Sequence, residues 1–339
     1  MTKILDFKTE INESELKLAA ESIRSGKLVI FPTETVYGIG ANALDDNAVD
    51  SIFIAKGRAN DNPLIVHIAD FEMLNDLVDD ISPLEQKLLE SFMPGPFTLI
   101  LKKKDIIPKN VSANLDTVGI RMPQNKIAHD LIKESGVPIA APSANISSRP
   151  SGTKISDIKD EFDEKVDFII DGGETSVGLE STVVKVVDDI PTILRPGKIT
   201  PEDIIEIVGV CKLSDNLFKK TDGIVESPGM KYKHYAPQNK CILIYNDNQE
   251  KLINLIKNNI IDKTLIIGSD KNKEIYDCYK YLSYGTTLED ISHNIFSLLR
   301  EADKYEPNLI IIEGVKKEGL GIAIMNRLIR ASSYNYIEE

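Results

Sequence analysis

The sequence predicts an α/β protein with two units, a larger domain on a mixed, twisted β-sheet and a smaller parallel α/β domain. The chain has 339 residues, which is enough for two domains of ordinary size. Many short strand-like segments and a few helices occupy its first two thirds, whereas strands and helices alternate regularly from about Lys240. This change in the pattern of predicted strands and helices marks the boundary between the units.

The larger unit begins with an amphipathic helix over residues 14–25, because Leu16, Ala19 and Ile23 share one face and Gly26 follows. A strand is expected in "KLVIFP", a helix over residues 46–55, a strand in "NPLIVHIAD" and a helix in "PLEQKLLESFM". Further strands are expected in "FTLILKKK", "TVGIRMP", "VPIAAPSAN", "KVDFIIDGG", "ESTVVKVVD" and "PTILRPG". This mixture favours a sheet with mixed strand directions that ends near Gly209.

The smaller unit reads as a Rossmann-like parallel α/β domain. Strands are expected in "CILIYN", "KTLIIGS" and "PNLIIIEGV", with helices in "NQEKLINLIKNNI", after Thr287 and at the end of the chain. Thr287 and Asp290 have the spacing of a capping box at the start of the long helix. We predict a domain over residues 1–210, a linker over 211–239 and a second domain over 240–339.

Composition excludes several classes of function. Apolar residues make up 42% and charged residues 27%, as in soluble globular proteins, and no run approaches the length of a membrane span. The start, "MTKILDFKTE", has no targeting pattern, so we expect a cytoplasmic protein without membrane contact. The net charge of −13 argues against stable nucleic-acid binding. Three cysteines and four histidines are scattered, so no metal ligands are predicted.

Arginines indicate an anion site. The chain has only eight, and four border loops, which are Arg58, Arg121, Arg149 and Arg195. Arginine suits bidentate capture of carboxylate or phosphate. The alternative for Arg58 and its neighbour Lys56 is that they complement the dipole at a helix C-terminus.

Polar residues follow predicted strands in "APSANISSRPSGT", "GLESTVV" and "LRPG". Ser143, Asn145 and Ser151 come after the strand "VPIAA", where α/β sheets place ligands. An ordinary turn is the alternative interpretation.

Other motifs carry weaker signals. "GIGANA" fits a loose dinucleotide fingerprint but lacks the acidic residue expected after a second strand, so we interpret it as a turn. His67 is interpreted as a half-buried strand residue, since no second metal ligand lies at ligand spacing. No Walker A sequence and no G-x-S-x-G nucleophile elbow occur. These features favour an anion cradle without a strong nucleophile.

The chain contains, in this order, "FPTETVYGIG", "KGR" with "NPLIVHI", "MPGPFTLIL", "GIRMP", "APSAN", "GLESTVV" and "LRPG". In order and content, these motifs together resemble those of the YrdC-like family of threonylcarbamoyl-AMP synthases. "SPGMKYKHYAP", the second domain and "EGLGIAIMNRLIRAS" resemble the longer two-domain form. The resemblance extends over about residues 12–335. It implies a YrdC-like first domain with a central cavity.

The resemblance also implies a reaction. L-Threonine, bicarbonate and ATP, with Mg²⁺, would give threonylcarbamoyl-AMP, pyrophosphate and water. A separate threonylcarbamoyl transferase, bound at most transiently, would then modify tRNA. A carbamate on the threonine amine is already a nucleophile, so holding like-charged reactants together matters more than a strong base.

Residue roles follow from the matched motifs. The resemblance assigns the catalytic signature to Lys56, Arg58, Ser143 and Asn145. It assigns L-threonine binding to Thr35, His67, Arg121, Ala141 and Ser181. It assigns ATP binding to Arg58, Asn62, Thr117, Ser143, Ser151 and Arg195, and phosphate contacts from a lid-like linker to Lys231, His234 and Tyr235.

Two alternatives stay open at this point. The same module handles carbamoyl adenylate inside hydrogenase-maturation proteins, but the zinc-finger and acylphosphatase-like regions of those chains are not recognisable here. The other alternative is a non-catalytic RNA-binding protein, which the acidic net charge disfavours.

Overall fold

The computed structural model describes residues 1–220, 226–227 and 234–338. Within these residues the strands form one sheet of eleven strands and one of five. The larger sheet combines parallel and antiparallel pairs, and every pair in the smaller sheet is parallel. The predicted fold class, a mixed-sheet domain followed by a small parallel α/β domain, is confirmed.

The larger sheet has the spatial order β1-β8-β2-β3-β7-β4-β6-β5-β9-β10-β11 among the described residues. Its strands are β1 (Lys3–Asp6), β2 (Val29–Phe31), β3 (Gly38–Asn42), β4 (Ile65–His67), β5 (Phe97–Lys102), β6 (Thr117–Arg121), β7 (Ile139–Ala140), β8 (Phe168–Asp171), β9 (Thr182–Val187), β10 (Ile190–Arg195) and β11 (Lys212–Leu213). Register places His67 opposite Arg121 on parallel β6 and opposite Ile139 on antiparallel β7. Several predicted site residues therefore meet where β4, β6 and β7 lie side by side.

Among the described residues, helices cover this sheet, and all of them except the two four-residue helices begin at a side-chain cap. They are α1 (Glu13–Arg24), α2 (Asp46–Lys56), α3 (Phe71–Leu77), α4 (Pro83–Phe92), α5 (Lys109–Ser112), α6 (Lys126–Ser135), α7 (Lys159–Phe162) and α8 (Pro201–Val208). Asn12 accepts from the Glu15 amide at the start of α1, and Ser82 with Glu85 forms a capping box at α4. The apolar faces of α1 and α6 pack on one side of the sheet, and α2 packs on the other.

The smaller sheet has the order β14-β13-β15-β12-β16. Its strands are β12 (Cys241–Tyr245), β13 (Thr264–Gly268), β14 (Lys280–Ser283), β15 (Leu309–Glu313) and β16 (Tyr336–Glu338), and its helices are α9 (Gln249–Asn259), α10 (Leu288–Asp303) and α11 (Leu320–Ala331). The predicted capping box of Thr287 and Asp290 is present at the start of α10. The predicted boundaries of the linker and domains stay a prediction.

The segment "GIGANA" is a strand and not the turn predicted from its glycines. Gly38 and Gly40 lie in β3, which pairs with β2 and β7. A Cβ atom at Gly40 would lie 2.7 Å from Ile139 Cγ2 and 2.7 Å from Phe31 Cε1. The glycine allows close packing inside the sheet, and the glycines lie within β3, whereas those of a dinucleotide site lie in the turn between strand and helix.

The two sheets belong to domains that are packed tightly together. Gly178, with φ at +82°, lies against α10, and a Cβ there would come within 2.3 Å of the Ser292 carbonyl oxygen. Arg300 of α10 donates to the carbonyl oxygens of Pro150 (3.1 Å from Nε) and Asp157 (2.7 Å from Nη1). The second domain thus holds the loop that follows Asn145.

None of the helices in the described residues is both long and apolar enough to cross a membrane.

Candidate active site

A small cavity of about 60 Å³ lies at the ends of β4, β6, β7 and β10 and before β9. Its wall contains all five residues predicted to bind threonine, five of those predicted to bind ATP, and Asn145. The lining residues are Thr35, Val36, Arg58, Leu64, Ile65, His67, Arg121, Ala141, Pro142, Ser143, Asn145, Glu180, Ser181, Arg195, His234 and Tyr235. Motifs that are far apart in the sequence therefore meet in one place.

Arg121 occupies a fixed position in this wall. Its Nη1 donates to Thr35 Oγ1 (2.9 Å), and its Nη2 donates to Glu34 Oε1 (2.6 Å). Thr35 Oγ1 also lies 2.8 Å from Thr33 Oγ1. These contacts orient the guanidinium beside His67 on the neighbouring strand.

Arg195 and Ser181 connect the two sets of predicted residues. Arg195 Nε (3.1 Å) and Nη2 (2.9 Å) donate to the Ser181 carbonyl oxygen, and Nη2 also donates to Ser181 Oγ (3.0 Å). Ser181 Oγ lies 2.7 Å from Thr98 Oγ1 of β5. Burial lowers the pKa of Arg195 to about 10, so it remains a cation at neutral pH. A predicted ATP ligand and a predicted threonine ligand thus share a hydrogen bond.

Two histidines, buried His67 and half-buried His234, line the cavity in the neutral form. Burial, with the charge of Arg121 nearby, lowers the pKa of His67 to about 3. Burial, with the charge of Arg58, likewise lowers the pKa of His234 to about 3. Among the described residues, His67 Nδ1 and His234 Nε2 have no hydrogen-bond partner. Such buried ring nitrogens are available to a polar group of a ligand.

Lys56 lies behind the cavity wall. Its ammonium group donates to the carbonyl oxygens of Ser143 (2.5 Å) and Asn145 (2.6 Å), and the residue is 2% exposed. Burial lowers the pKa of Lys56, and the charge of Arg58 lowers it further. Ser143 Oγ donates to Asn145 Oδ1 (2.6 Å) within the same loop. The lysine therefore fixes the backbone on which two predicted catalytic residues lie.

Arg58 and Asn62 lie in one turn after α2. Arg58 Nη2 donates to the carbonyl oxygens of Asn62 (3.0 Å) and Pro63 (3.1 Å). The Asn62 side chain is buried, and neither its oxygen nor its nitrogen has a hydrogen-bond partner among the described residues. An unsatisfied buried amide is costly in a protein interior, so it points to an additional binding partner.

The structure places four predicted residues outside the wall of the cavity as the described residues define it. These are Lys56, Asn62, Thr117 and Ser151. Thr117 begins β6 and shares a face with Arg121, roughly 13 Å along the strand. Ser151 is buried and donates from Oγ to Glu180 Oε1 (2.6 Å). Lys231 lies outside the described residues.

One of the four arginines that border loops does not line the cavity. Arg149 is not part of the cavity wall and pairs with Glu161 at 2.9 Å. A surface-directed arginine in a polar loop has the same sequence context as a ligand-binding one, so the sequence could not separate the two roles.

Sequence reasoning missed the pairing of Glu180 with Arg327 of α11. Arg327 Nε donates to Glu180 Oε2 (2.8 Å). Burial raises the pKa of Glu180, but the charges of Arg327 and Arg195 outweigh burial and hold this pKa below its ordinary value. An arginine inside the apolar segment "IAIMNRLI" was the available signal, since buried charges are nearly always paired.

Comparison with known proteins agrees with this geometry. A family model described as "Telomere recombination" matches residues 21–197, and one described as "Threonylcarbamoyl-AMP synthase, C-terminal domain" matches residues 199–333. The threonylcarbamoyl-AMP synthase of Pyrococcus abyssi is 44% identical, with all of both chains covered. This chain belongs to the threonylcarbamoyl-AMP synthase family.

Two further relatives support the same assignment. The threonylcarbamoyl-AMP synthase of Bacillus subtilis is 41% identical over 95% of this chain and 94% of its own. A crystal structure of P. abyssi Sua5 complexed with L-threonine matches with a TM-score of 0.95 at 44% identity and covers 100% of both chains. The family resemblance inferred from the motifs, and the synthase function that it implies, are confirmed.

The described residues contain no group of three or more His, Cys, Asp and Glu side chains placed to hold a metal ion. The acidic side chains nearest to the predicted ligands, Glu34 and Glu180, are each paired with an arginine.

Proposed function

We propose that this chain makes threonylcarbamoyl-AMP from L-threonine, bicarbonate and ATP and releases pyrophosphate and water. The observation that carries the proposal is the composition of one cavity. All five predicted threonine ligands line it together with Arg58, Ser143 and Arg195 of the predicted ATP set. The residues proposed to bind two anionic substrates therefore lie side by side.

The threonine end centres on Arg121. A guanidinium has five N–H donors, and among the described residues three of those of Arg121 contact Glu34, Thr35 and the Gly95 carbonyl oxygen. Its other donors can bind the carboxylate of L-threonine. Neutral His67 then offers Nδ1 to a polar group of the amino acid.

The ATP end includes Arg58, Ser143 and Arg195. Arg58 and Arg195 are cations in a buried wall, where they attract phosphate more strongly than in water. Asn62 supports this assignment, because its buried amide has no protein partner among the described residues. Thr117 lies on the same face of β6 as Arg121, where an extended nucleotide could reach it.

The chemistry consists of two bond-forming steps. The threonine amine forms a carbamate with bicarbonate and releases water. A carbamate oxygen then attacks the α-phosphorus of ATP, and pyrophosphate leaves with the electron pair of the broken P–O bond. Positioning and charge stabilisation by the arginines provide most of the catalysis. Lys56 contributes by fixing Ser143 and Asn145.

Magnesium enters this scheme with ATP as part of the substrate. Glu34 and Glu180 are already paired with arginines, so among the described residues these two carboxylates do not form a magnesium site of their own. Phosphate oxygens and water are then the main ligands, as in many nucleotide complexes.

The segment before the second domain acts as a lid in this proposal. His234 and Tyr235 line the cavity, and the Ala236 amide donates to the Ser148 carbonyl oxygen (3.0 Å). A covered cavity excludes water from an adenylate that hydrolyses easily. We place the reaction in the cytoplasm, where a separate transferase would carry the threonylcarbamoyl group to tRNA.

Product formation from labelled bicarbonate tests the proposal. Purified protein is incubated with ATP, Mg²⁺, ¹³C-bicarbonate and L-threonine, and threonylcarbamoyl-AMP and pyrophosphate are measured by mass spectrometry and a coupled assay. Arg58→Ala should lose at least about 100-fold in rate because it removes a cation of the cavity wall from the proposed phosphate site. Arg24→Ala is the matched control, since Arg24 is an exposed arginine on α1 that pairs with Glu21.

The outcomes separate the competing functions. Pyrophosphate release that does not depend on threonine would refute the substrate assignment and favour carbamoyl-adenylate chemistry. Salt-sensitive RNA binding without any adenylate product would favour the RNA-binding alternative.

A further inference from the structure

Arg327 of the second domain contacts two residues of the cavity wall. Its Nε donates to Glu180 Oε2 (2.8 Å), and its guanidinium carbon lies 5.7 Å from the centre of the Tyr235 ring. The residue is 1% exposed. A helix that carries none of the predicted ligands thus extends to the proposed nucleotide end of the cavity.

Arg327 and Ser151 together hold the two oxygens of the Glu180 carboxylate. Ser151 Oγ donates to Oε1 (2.6 Å), while Arg327 Nε donates to Oε2. Glu180 in turn lines the cavity, and Ser151 belongs to the residues proposed to bind ATP. The orientation of Ser151 therefore depends on the carboxylate that Arg327 holds.

The contact with Tyr235 fixes the position of its ring. The ring is stacked on Phe296 of α10, with centroids 5.0 Å apart and planes 23° apart, and Arg327 lies within cation–π distance. Tyr235 has φ at +63°, a conformation that is uncommon for a bulky residue and needs support from its surroundings. Helices α10 and α11 provide that support.

Stability alone does not explain such a pair. Removing two charges from water is costly, and a well-packed apolar pair of similar size often serves stability equally well. What the ion pair adds is a defined direction, because the planar guanidinium can donate to a carboxylate and cover an aromatic ring at the same time.

We propose that Arg327 is a positioning residue for ATP in the synthase reaction. It acts through Glu180 on Ser151 and directly on Tyr235, and it touches neither substrate. Arg121, the centre of the threonine end, is instead held by Glu34 and Thr35 of the first domain. The inference rests on the proposed function.

The test compares Arg327→Gln with Arg327→Lys. In Arg327→Gln, the KM for ATP and the Kd of MgATP measured by isothermal titration calorimetry should both rise about tenfold or more, while the KM for L-threonine stays within about twofold. Arg327→Lys keeps the charge and should recover part of the ATP affinity. Lys198→Gln is the control, because it breaks an exposed contact with Glu289 of α10 and Lys198 is not part of the cavity wall.

A double variant keeps the test decisive if Arg327→Gln folds poorly. Glu180→Gln combined with Arg327→Gln removes both charges of this pair, so neither partner is left buried without the other; the folded state should survive while ATP binding stays weak. Unchanged ATP affinity in the folded single or double variant would overturn the inference, as would a lower yield of folded enzyme with both KM values unchanged. Failure of the unsubstituted chain to form the adenylate would instead refute the proposed function.

Discussion

Acidification should destabilise the folded chain at His67, and a glutamine substitution should remove this sensitivity. Burial lowers the pKa of His67 to about 3 in the folded chain, whereas the unfolded chain has the ordinary value of 6.5. Between these values the unfolded chain binds a proton that the folded chain does not. The stability that the neutral imidazole maintains is therefore present above pH 6.5 and is lost as the pH falls towards 3.

The magnitude follows from the two pKa values. Each pH unit within this window costs about 1.4 kcal/mol, so His67 accounts for roughly 2 to 3 kcal/mol between pH 7 and pH 4.5. This is a large part of the free energy of unfolding of a typical domain, about 5 to 15 kcal/mol. His234 has the same pKa in the folded chain and should add a similar loss.

Urea unfolding at several pH values measures the effect. Far-UV circular dichroism is the suitable signal, because the chain contains no tryptophan. Between pH 7 and pH 4.5, the free energy of unfolding of the unsubstituted chain should fall by roughly 2 to 3 kcal/mol more than that of His67→Gln. Ile65→Val is the control, since it truncates a side chain on the same strand without removing a titratable group, and its effect should be equal at every pH.

Parallel pH profiles for the unsubstituted chain and His67→Gln would refute the reasoning. They would mean that the imidazole takes up a proton equally in the folded and unfolded states.

Other perturbations test separate features. Lys56→Met should lower the free energy of unfolding by about 2 to 4 kcal/mol and reduce synthesis, because two buried carbonyl oxygens lose their donor; thermal unfolding and product assays measure both effects. Gly40→Ala should cost about 1 to 3 kcal/mol through overpacking in β3, and unchanged thermal stability would contradict the close contacts seen there. Ser181→Ala should raise the KM for L-threonine about tenfold, and a larger effect on the KM for ATP would assign this hydroxyl to the other substrate. Chelation of Mg²⁺ should stop adenylate formation while leaving the circular dichroism spectrum unchanged, since the metal belongs to the substrate.

Local patterns were enough to predict much of the fold. The helix that begins after Thr287 has both an apolar stripe and a capping box, and it lies where these signals place it. Strand β3 escaped prediction because glycine is unfavourable in a strand, and the tight contact that requires Gly40 involves residues distant in the sequence.

In the cavity, too, local motifs indicate some residues, whereas contacts between residues distant in the sequence appear only in the fold. Arg121 and Ser181, which line the cavity, were predicted because they lie in recognisable family motifs. Arg327 was not, because its partner Glu180 lies 147 residues earlier and only the packing of the two domains brings them together. Lys56 was predicted as a site residue, but its acceptors are carbonyl oxygens, which no side-chain pattern reveals.

The second domain holds the loop after Asn145 partly through hydrogen bonds to its main chain. Arg300 donates to the carbonyl oxygens of Pro150 and Asp157, so two of its contacts are with peptide groups that every residue type provides. Side chains along this loop can consequently change during evolution without any matching change at Arg300, as long as the loop keeps its course. Searches for covarying pairs across the domain boundary would then overlook these contacts, although a single substitution of the arginine would break both.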